Sequence, residues 1–191
     1  MKEVKIVKGK IIILNGISSA GKTTLAKMLQ DSLQEPYFWI SVDAFFSMAP
    51  QKHLGEKPLE TFENIRKAMY RSIAALSDAD INTIVDIVLL HQFNMLEECI
   101  NMLKDHQVLF VHVECPIEEI RRREKERGDR EIGQAEAQIS DLEPKDLYDA
   151  TVDTYNESKE QCIKKIKYAL QNKIGIVFDE LSRNYKSQKE C

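Results

Sequence analysis

A glycine-flanked segment near the N-terminus has the residue types and spacing that bind a nucleoside triphosphate. Gly16 and Gly21 enclose four residues and are followed directly by Lys22 and Thr23, which satisfies the phosphate-loop spacing GxxxxGK(S/T). Glycines let successive backbone N–H groups turn inward around phosphate oxygens, the lysine adds positive charge, and the threonine hydroxyl is a magnesium ligand. The expected nucleotide-binding residues are Gly16, Ser18, Ser19, Ala20, Gly21, Lys22, Thr23 and Thr24.

The sequence on both sides of this loop predicts the secondary structure that a phosphate site requires. An apolar run over residues 10–15 predicts a strand, and apolar residues at helical spacing predict a helix over residues 22–34. The alternative is a chance glycine-rich turn that binds nothing. Such a turn would need neither the strand before it nor the helix after it. The strand, loop and helix together therefore favour binding of ATP with Mg²⁺, with the phosphates at the positive end of the helix.

Two aspartates lie at the carboxyl ends of predicted strands, where ligands collect in a parallel α/β sheet. Asp86 follows an apolar run in the predicted strand 83–88, a pattern in which the carboxylate holds magnesium directly or through water. Asp43 follows the predicted strand 38–42, where a carboxylate would orient the hydroxyl group of an acceptor. The alternative for Asp43 is a helix N-cap. Three large apolar side chains nearby either pack in the core or form a wall for an aromatic acceptor: Phe45, Phe46 and Met48.

A predicted helix over residues 117–127 ends at a glycine that two arginines flank, Arg127 and Arg130. Its middle part, residues 121–125, has the pattern of a solvated face with acid–base pairs four residues apart. The glycine-containing end has instead the composition of a small lid, which we place at about residues 121–140. The arginines of such a lid close over the triphosphate and stabilise charge on the transferring phosphoryl group.

Apolar runs alternate with helical patterns along the chain, which predicts βαβ units and a parallel sheet with helices on both faces. A length of 191 residues suits one domain. The segment 174–191 is mostly polar, and we expect it to be a partly disordered extension. The remaining predicted strands are 108–114 and 150–153, and the remaining predicted helices are 59–77, 94–104 and 158–172.

Composition excludes several classes of protein. The 27 basic and 31 acidic residues give a net charge of −4, so the chain has no general attraction for nucleic acid. No apolar run has the roughly 18 to 20 residues of a membrane span, and the N-terminus lacks the apolar core of a signal peptide, so we expect a cytoplasmic protein. The cysteines are widely spaced without a CxxC pair, which indicates neither a zinc site nor a disulfide framework: Cys99, Cys115, Cys162 and Cys191.

Taken together, these residues resemble the chloramphenicol phosphotransferase family, a branch of the P-loop kinases related in architecture to shikimate and adenylate kinases. The resemblance covers residues 11–166, and its most specific parts are the Ser-Ser-Ala phosphate loop and the Arg-Gly-Asp-Arg segment. The motifs that carry it are Leu14-Asn15-Gly16 with Ser18-Ser19-Ala20-Gly21-Lys22, Val42-Asp43 with Met48 and Pro50, Ile84-Val85-Asp86 with Val88 and Leu90, Arg127-Gly128-Asp129-Arg130, and Tyr148-Asp149 with Val152-Asp153-Thr154.

The resemblance implies a three-layer P-loop kinase sandwich, in which a five-stranded parallel sheet of order 2-3-1-4-5 has helices on both faces and a small lid. It implies a kinase domain over residues 1–173, followed by the extension. In this family the aspartate that matches Asp43 accepts the proton of the substrate hydroxyl, and the arginines that match Arg127 and Arg130 contact phosphate. The expected catalytic residues are then Asp43, Lys22, Arg127 and Arg130, and the expected metal ligands are Thr23 and Asp86.

Two departures from the family pattern fall near the expected acceptor pocket. Ile87 stands where the antibiotic-modifying members carry a second acid, and residues 51–62 bear little likeness to theirs. These differences concern the acceptor rather than the phosphoryl transfer, so the sequence does not name the acceptor.

We therefore expect an ATP- and Mg²⁺-dependent phosphotransferase, similar to chloramphenicol 3-O-phosphotransferase, that acts on a hydroxyl of a small molecule as a monomer or homodimer. One alternative is a nucleoside, nucleotide or nucleic-acid-end kinase. That activity would need a basic acceptor groove, for which Arg66, Lys67 and Arg71 share one predicted helix. The other alternative is a non-catalytic, nucleotide-gated binding protein.

Overall fold

The computed structural model describes residues 7–50, 58–127, 133–144 and 146–189. Within them five strands form one parallel sheet. Counted along the chain, the strands lie side by side in the order 2-3-1-4-5, as the resemblance implied. Each predicted strand agrees with the structure to within one residue at either end. The strands are β1 (Ile11–Asn15), β2 (Tyr37–Ser41), β3 (Asn82–Ile87), β4 (Val108–Glu114) and β5 (Ala150–Asp153).

Helices cover both faces of this sheet. The five predicted helices are present with ends that differ by no more than two residues. Three further helices, Val42–Ser47, Gln134–Ile139 and Ile176–Lys189, were not predicted. A short 3₁₀ helix, His91–Phe93, follows β3. The helices are α1 (Lys22–Ser32), α2 (Val42–Ser47), α3 (Pro58–Asp78), α4 (Met95–Leu103), α5 (Ile117–Arg127), α6 (Gln134–Ile139), α7 (Lys159–Asn172) and α8 (Ile176–Lys189).

The central strand β1 joins two hydrophobic layers. Ile12 and Leu14 point toward the layer of α1 and α7, while Ile11 and Ile13 point toward the layer of α3, α4 and α8. All four side chains are at most 1% exposed. A parallel strand that is buried on both faces requires such a continuous apolar run, which explains why β1 was predictable.

The C-terminal segment is the main correction to the predicted fold. We expected residues 174–191 to form a partly disordered extension, but residues 176–189 form α8, which packs on β4. Phe178 is fully buried, with its ring centroid 6.2 Å from that of Phe110. The carboxylate of Asp149 accepts the N–H of Val177 at 3.2 Å and the N–H of Phe110 at 2.8 Å, which ties the start of α8 to the sheet. A few buried side chains are enough to dock a polar helix on the sheet. Because they are few, the composition of the segment stays mostly polar.

Two further observations concern the chain as a whole. Among the described residues, no helix combines the length and the apolar character needed to cross a bilayer. Cys99, Cys115 and Cys162 are unbridged thiols, and Cys191 lies outside the described residues.

Candidate active site

The phosphate loop between β1 and α1 has the backbone geometry that its glycines permit. A Cβ on Gly16 would lie 2.3 Å from the carbonyl oxygen of Val113 on β4, so only glycine fits this close approach. Gly21 has φ +97° and precedes the first residue of α1. Ser19 also has positive φ, at +61°, a conformation that costs a non-glycine residue energy. The loop is therefore held in an unusual conformation by its surroundings.

Lys22 lies folded across this loop. Its ammonium group donates hydrogen bonds to the carbonyl oxygens of Gly16 at 2.7 Å and Ile17 at 2.9 Å, and the residue is only 7% exposed. The loop's own carbonyl oxygens thus hold the positive charge beside the N-terminus of α1. Positive charge and a helix N-terminus together favour an anion such as phosphate.

Thr23 and Asp86, the two expected metal ligands, meet at the root of the loop. The hydroxyl of Thr23 donates to the Asp86 carboxylate at 2.5 Å. The contact arises because Asp86 is paired in register with Leu14 on the neighbouring strand β1, two residues before the loop begins. Hydroxyl and carboxylate oxygens are the ligands that Mg²⁺ prefers, so this pair fits a metal ion bound to phosphates.

Asp43 lines the same cleft as Lys22, Thr23 and Asp86, and this cleft has a volume of about 490 Å³. Asp43 is exposed and lies in the first turn of the short helix α2. The N-cap alternative for Asp43 is wrong, because Ser41 caps α2 by accepting the N–H of Ala44 at 3.2 Å. The sheet therefore brings both predicted carboxylates to one cleft beside the phosphate loop.

The opposite end of the cleft lies between α5 and the connection from β5 to α7. Arg123 donates to the hydroxyl and carbonyl oxygens of Thr154 at 3.0 and 3.2 Å, and to the carbonyl oxygen of Ser19 at 3.4 Å. Thr154 in turn donates to the carbonyl oxygen of Ala20 at 2.7 Å. Arg123 is thus a support of the phosphate loop, which the interpretation of residues 121–125 as a solvated face missed.

Part of that helix does form the expected ion pairs. Glu119 pairs with Arg123 at 2.8 Å, four residues away, and also with Arg122 at 2.7 Å. Hydrogen bonds from Arg122 and Arg123 lower the pKa of Glu119 to about 2. Arg122 also pairs with Glu126. Glu119 thus stays ionised and holds Arg123 in the orientation that supports the loop.

The two predicted lid arginines lie at and beyond the edge of the part of the chain that the structure describes. The backbone of Arg127 ends α5, and Arg130 lies outside the described residues. Their contact with phosphate stays a prediction.

Asn15, the last residue of β1, is a structural residue of the site that the sequence analysis quoted only as part of a motif. It is fully buried, and its side-chain amide donates to the carbonyl oxygen of Glu143 at 2.6 Å and to the hydroxyl of Tyr148 at 2.8 Å. Its oxygen accepts the N–H of Leu89 at 2.9 Å. This side chain thus links the end of β1, where the phosphate loop begins, to the segment after β3 and to the connection that precedes β5.

Aromatic rings of α2, α3 and the 3₁₀ helix pack together, and one of them, Phe46, lies three residues after Asp43 on α2. The rings of Phe46 and Phe62 stack at 5.4 Å, and Phe93 meets Phe62 edge-on at 5.6 Å. Met48 is 73% exposed, so it is not a core residue. The segment 51–57, where the chain departs from the family pattern, lies outside the described residues.

Within the described part of the chain, Arg66 is not available for the basic groove that a nucleic-acid-end kinase would need. Its guanidinium is buried and donates to Glu98 at 2.7 Å. Lys67 pairs with Glu63 on its own helix. Two of the three basic residues that motivated this alternative are therefore engaged within the protein.

Comparison with known proteins agrees with this geometry. The family described as chloramphenicol phosphotransferase-like protein matches residues 9–171. The chain belongs to this family. A Mycobacterium tuberculosis protein with the provisional name O-phosphotransferase is 33% identical over 175 residues, covering 77% of this chain and 76% of the relative. The adenylyl-sulfate kinase of Clostridium acetobutylicum is 29% identical over 178 residues, covering 87% of this chain and 86% of the relative.

A solved structure shows the same fold for this chloramphenicol phosphotransferase-like protein. The APS kinase of Mycobacterium tuberculosis, solved in complex with AMPPNP and APS, has a TM-score of 0.66 at 16% identity and covers 86% of this chain and 99% of its own. The chain is thus a kinase-like phosphotransferase of the P-loop superfamily.

Proposed function

We propose that this protein transfers the γ-phosphoryl group of Mg²⁺-bound ATP to a hydroxyl group of a small molecule. The observation that carries the proposal is the shared cleft of Lys22, Thr23, Asp86 and Asp43. The first three residues match the groups that hold a triphosphate and its metal. Asp43 supplies a carboxylate on the same cleft, where an alcohol would enter.

Each residue has a defined task in this mechanism. The loop N–H groups and Lys22 bind the β- and γ-phosphates, and Thr23 with Asp86 would hold Mg²⁺, which neutralises phosphate charge. Asp43 orients the acceptor hydroxyl and receives its proton as the oxygen bonds to the γ-phosphorus and the bond to ADP breaks. The transition state of phosphoryl transfer is loose in most analyses, so orientation and charge neutralisation contribute more than proton abstraction. Arg127 and Arg130 would neutralise charge on the transferring group.

The acceptor is proposed to present an apolar or aromatic group beside its hydroxyl. The cluster of Phe46, Phe62 and Phe93 supports this choice because Phe46 lies on the same short helix as Asp43, and apolar walls with few polar groups are typical of small-molecule pockets. Chloramphenicol is one candidate by family. A nucleotide acceptor is the second candidate, since a relative of similar length is named an adenylyl-sulfate kinase.

The test is a screen for ADP release by the purified protein with Mg²⁺ and ATP. The acceptors are small hydroxyl compounds, with chloramphenicol and adenylyl sulfate included. We expect at least one hydroxyl compound to stimulate ADP release and to appear as a phosphate ester by mass spectrometry. Tight ATP binding without stimulation by any compound, together with a co-purifying protein partner, would instead support the nucleotide-gated binding protein.

A further inference from the structure

The phosphate loop is held from outside by a side chain of α6, 120 residues further along the chain. The side-chain oxygen of Gln138 accepts the backbone N–H of Ser18 at 2.8 Å. A backbone N–H can only donate, so the orientation of the carboxamide follows from the contact itself. Ser18 is only 1% exposed, so water cannot readily replace this acceptor.

The position of Gln138 depends on a buried carboxylate of α5. Glu124 is 1% exposed and accepts the N–H groups of Gly133 at 3.1 Å and Ala135 at 2.9 Å, at the start of α6. A helix of six residues is not stable by itself, so these hydrogen bonds are needed to place it. Gln138 lies three residues after Ala135 and therefore on the same side of α6.

A second contact holds the next residue of the loop. Arg123 of α5 donates to the carbonyl oxygen of Ser19 at 3.4 Å, so consecutive loop residues are held by two neighbouring helices. Ser19 has a φ of +61°, which the loop sequence alone does not favour. The external contacts offset this cost and fix the direction of the neighbouring peptide groups.

We propose that Gln138 is a positioning residue for nucleotide binding, which acts by holding Ser18 so that the phosphate loop keeps its binding conformation. The proposal rests on the proposed function in one respect, namely that the loop binds the phosphates of ATP. It adds a residue outside the phosphate-loop motif to the determinants of ATP affinity. Without the acceptor, a buried donor loses its partner and the loop relaxes.

The test compares Q138M with Q134M, a matched control. Gln134 is exposed and lies on the same short helix, so the control makes the same substitution without touching the loop. Two quantities are measured: the amide exchange rate of Ser18 by NMR, and the Kd of Mg²⁺-AMPPNP by calorimetry. We expect Q138M to speed exchange and to weaken AMPPNP binding roughly tenfold, the range for a buried donor that loses its acceptor. Q134M should change neither.

Q138E separates the hydrogen bond from the rest of the side chain, because its carboxylate can still accept the Ser18 N–H. We expect slow exchange of Ser18 in this variant. Unchanged AMPPNP affinity in Q138M, or unchanged exchange of Ser18, would overturn the proposal. Tighter binding by Q138M would also overturn it, since Gln138 would then compete with phosphate. If the variants behave as expected but no hydroxyl compound stimulates ADP release, the proposed function fails while this inference stands.

Discussion

At the scale of single residues, the site is built from a few side chains with separate tasks. In the proposed mechanism, Asp43 is the carboxylate that faces the acceptor hydroxyl. We expect D43N to lower kcat for the best acceptor by roughly 10²–10⁴-fold, the usual contribution of a positioned acid–base group. The Kd of ATP should hardly change, because Asp43 is not assigned a phosphate or metal contact.

The measurement pairs a coupled assay of ADP release with calorimetry of ATP binding. D31N is the control, since Asp31 is an exposed carboxylate on α1, outside the cleft. Equal loss of turnover and ATP binding in D43N would instead assign Asp43 to metal binding or to structure.

Thr23 allows a second test at this scale, because its hydroxyl can be removed and restored. T23V replaces the hydroxyl that contacts Asp86 with a methyl group. We expect the Mg²⁺ concentration for half-maximal ADP release to rise roughly 10–100-fold, as for other disturbed metal sites. T23S keeps a hydroxyl and should behave like the wild type. An unchanged Mg²⁺ dependence in T23V would remove Thr23 from the metal site.

At the scale of elements, α8 is an integral layer of the domain rather than a tail. Phe178 is fully buried against β4, whereas Ile176 on the same helix is 58% exposed. We expect F178A to lower the free energy of unfolding by about 3–5 kcal/mol, the usual cost of truncating a buried aromatic side chain. I176A should change it by no more than about 0.5 kcal/mol. Urea unfolding monitored by circular dichroism checks both, and equal effects would mean that α8 is not docked through Phe178.

At the scale of the whole molecule, stability should depend on pH through a half-buried histidine. His112 stacks on Tyr148 with ring centroids 4.6 Å apart, and burial lowers its pKa below the ordinary 6.5, although Glu114 at 3.2 Å opposes the shift. The unfolded chain then takes up a proton at a higher pH than the folded protein. The free energy of unfolding should therefore be independent of this group above pH 6.5 and should decrease as the pH falls below 6.5.

Urea unfolding at pH 7.5, 6.5 and 5.5 measures this effect, with H112Q as the comparison. The decrease between the two lower pH values should be smaller in H112Q, because glutamine does not titrate. An identical pH dependence in both proteins would mean that His112 is not the group responsible.

The sequence by itself determined the phosphate-loop motif, the order of the five strands and the positions of five of the eight α-helices that the structure describes. Each of these follows from local spacing or from a period of apolar residues, which the backbone geometry of a strand or helix converts directly into structure. The resemblance to a known family added the sheet order and the role expected of Asp43.

Only the tertiary structure decided which other residues support the loop. Gln138, Arg123 and Asn15 are ordinary polar residues in the sequence. Gln138 and Arg123 contact loop residues 120 and 104 positions away, and Asn15 contacts Leu89 and Tyr148, 74 and 133 positions away. The sequence analysis also missed α8, because a polar helix needs only a few apolar residues to pack on a sheet. Local pattern cannot reveal such contacts, since their energy comes from groups that meet only after the sheet has formed and buried them together.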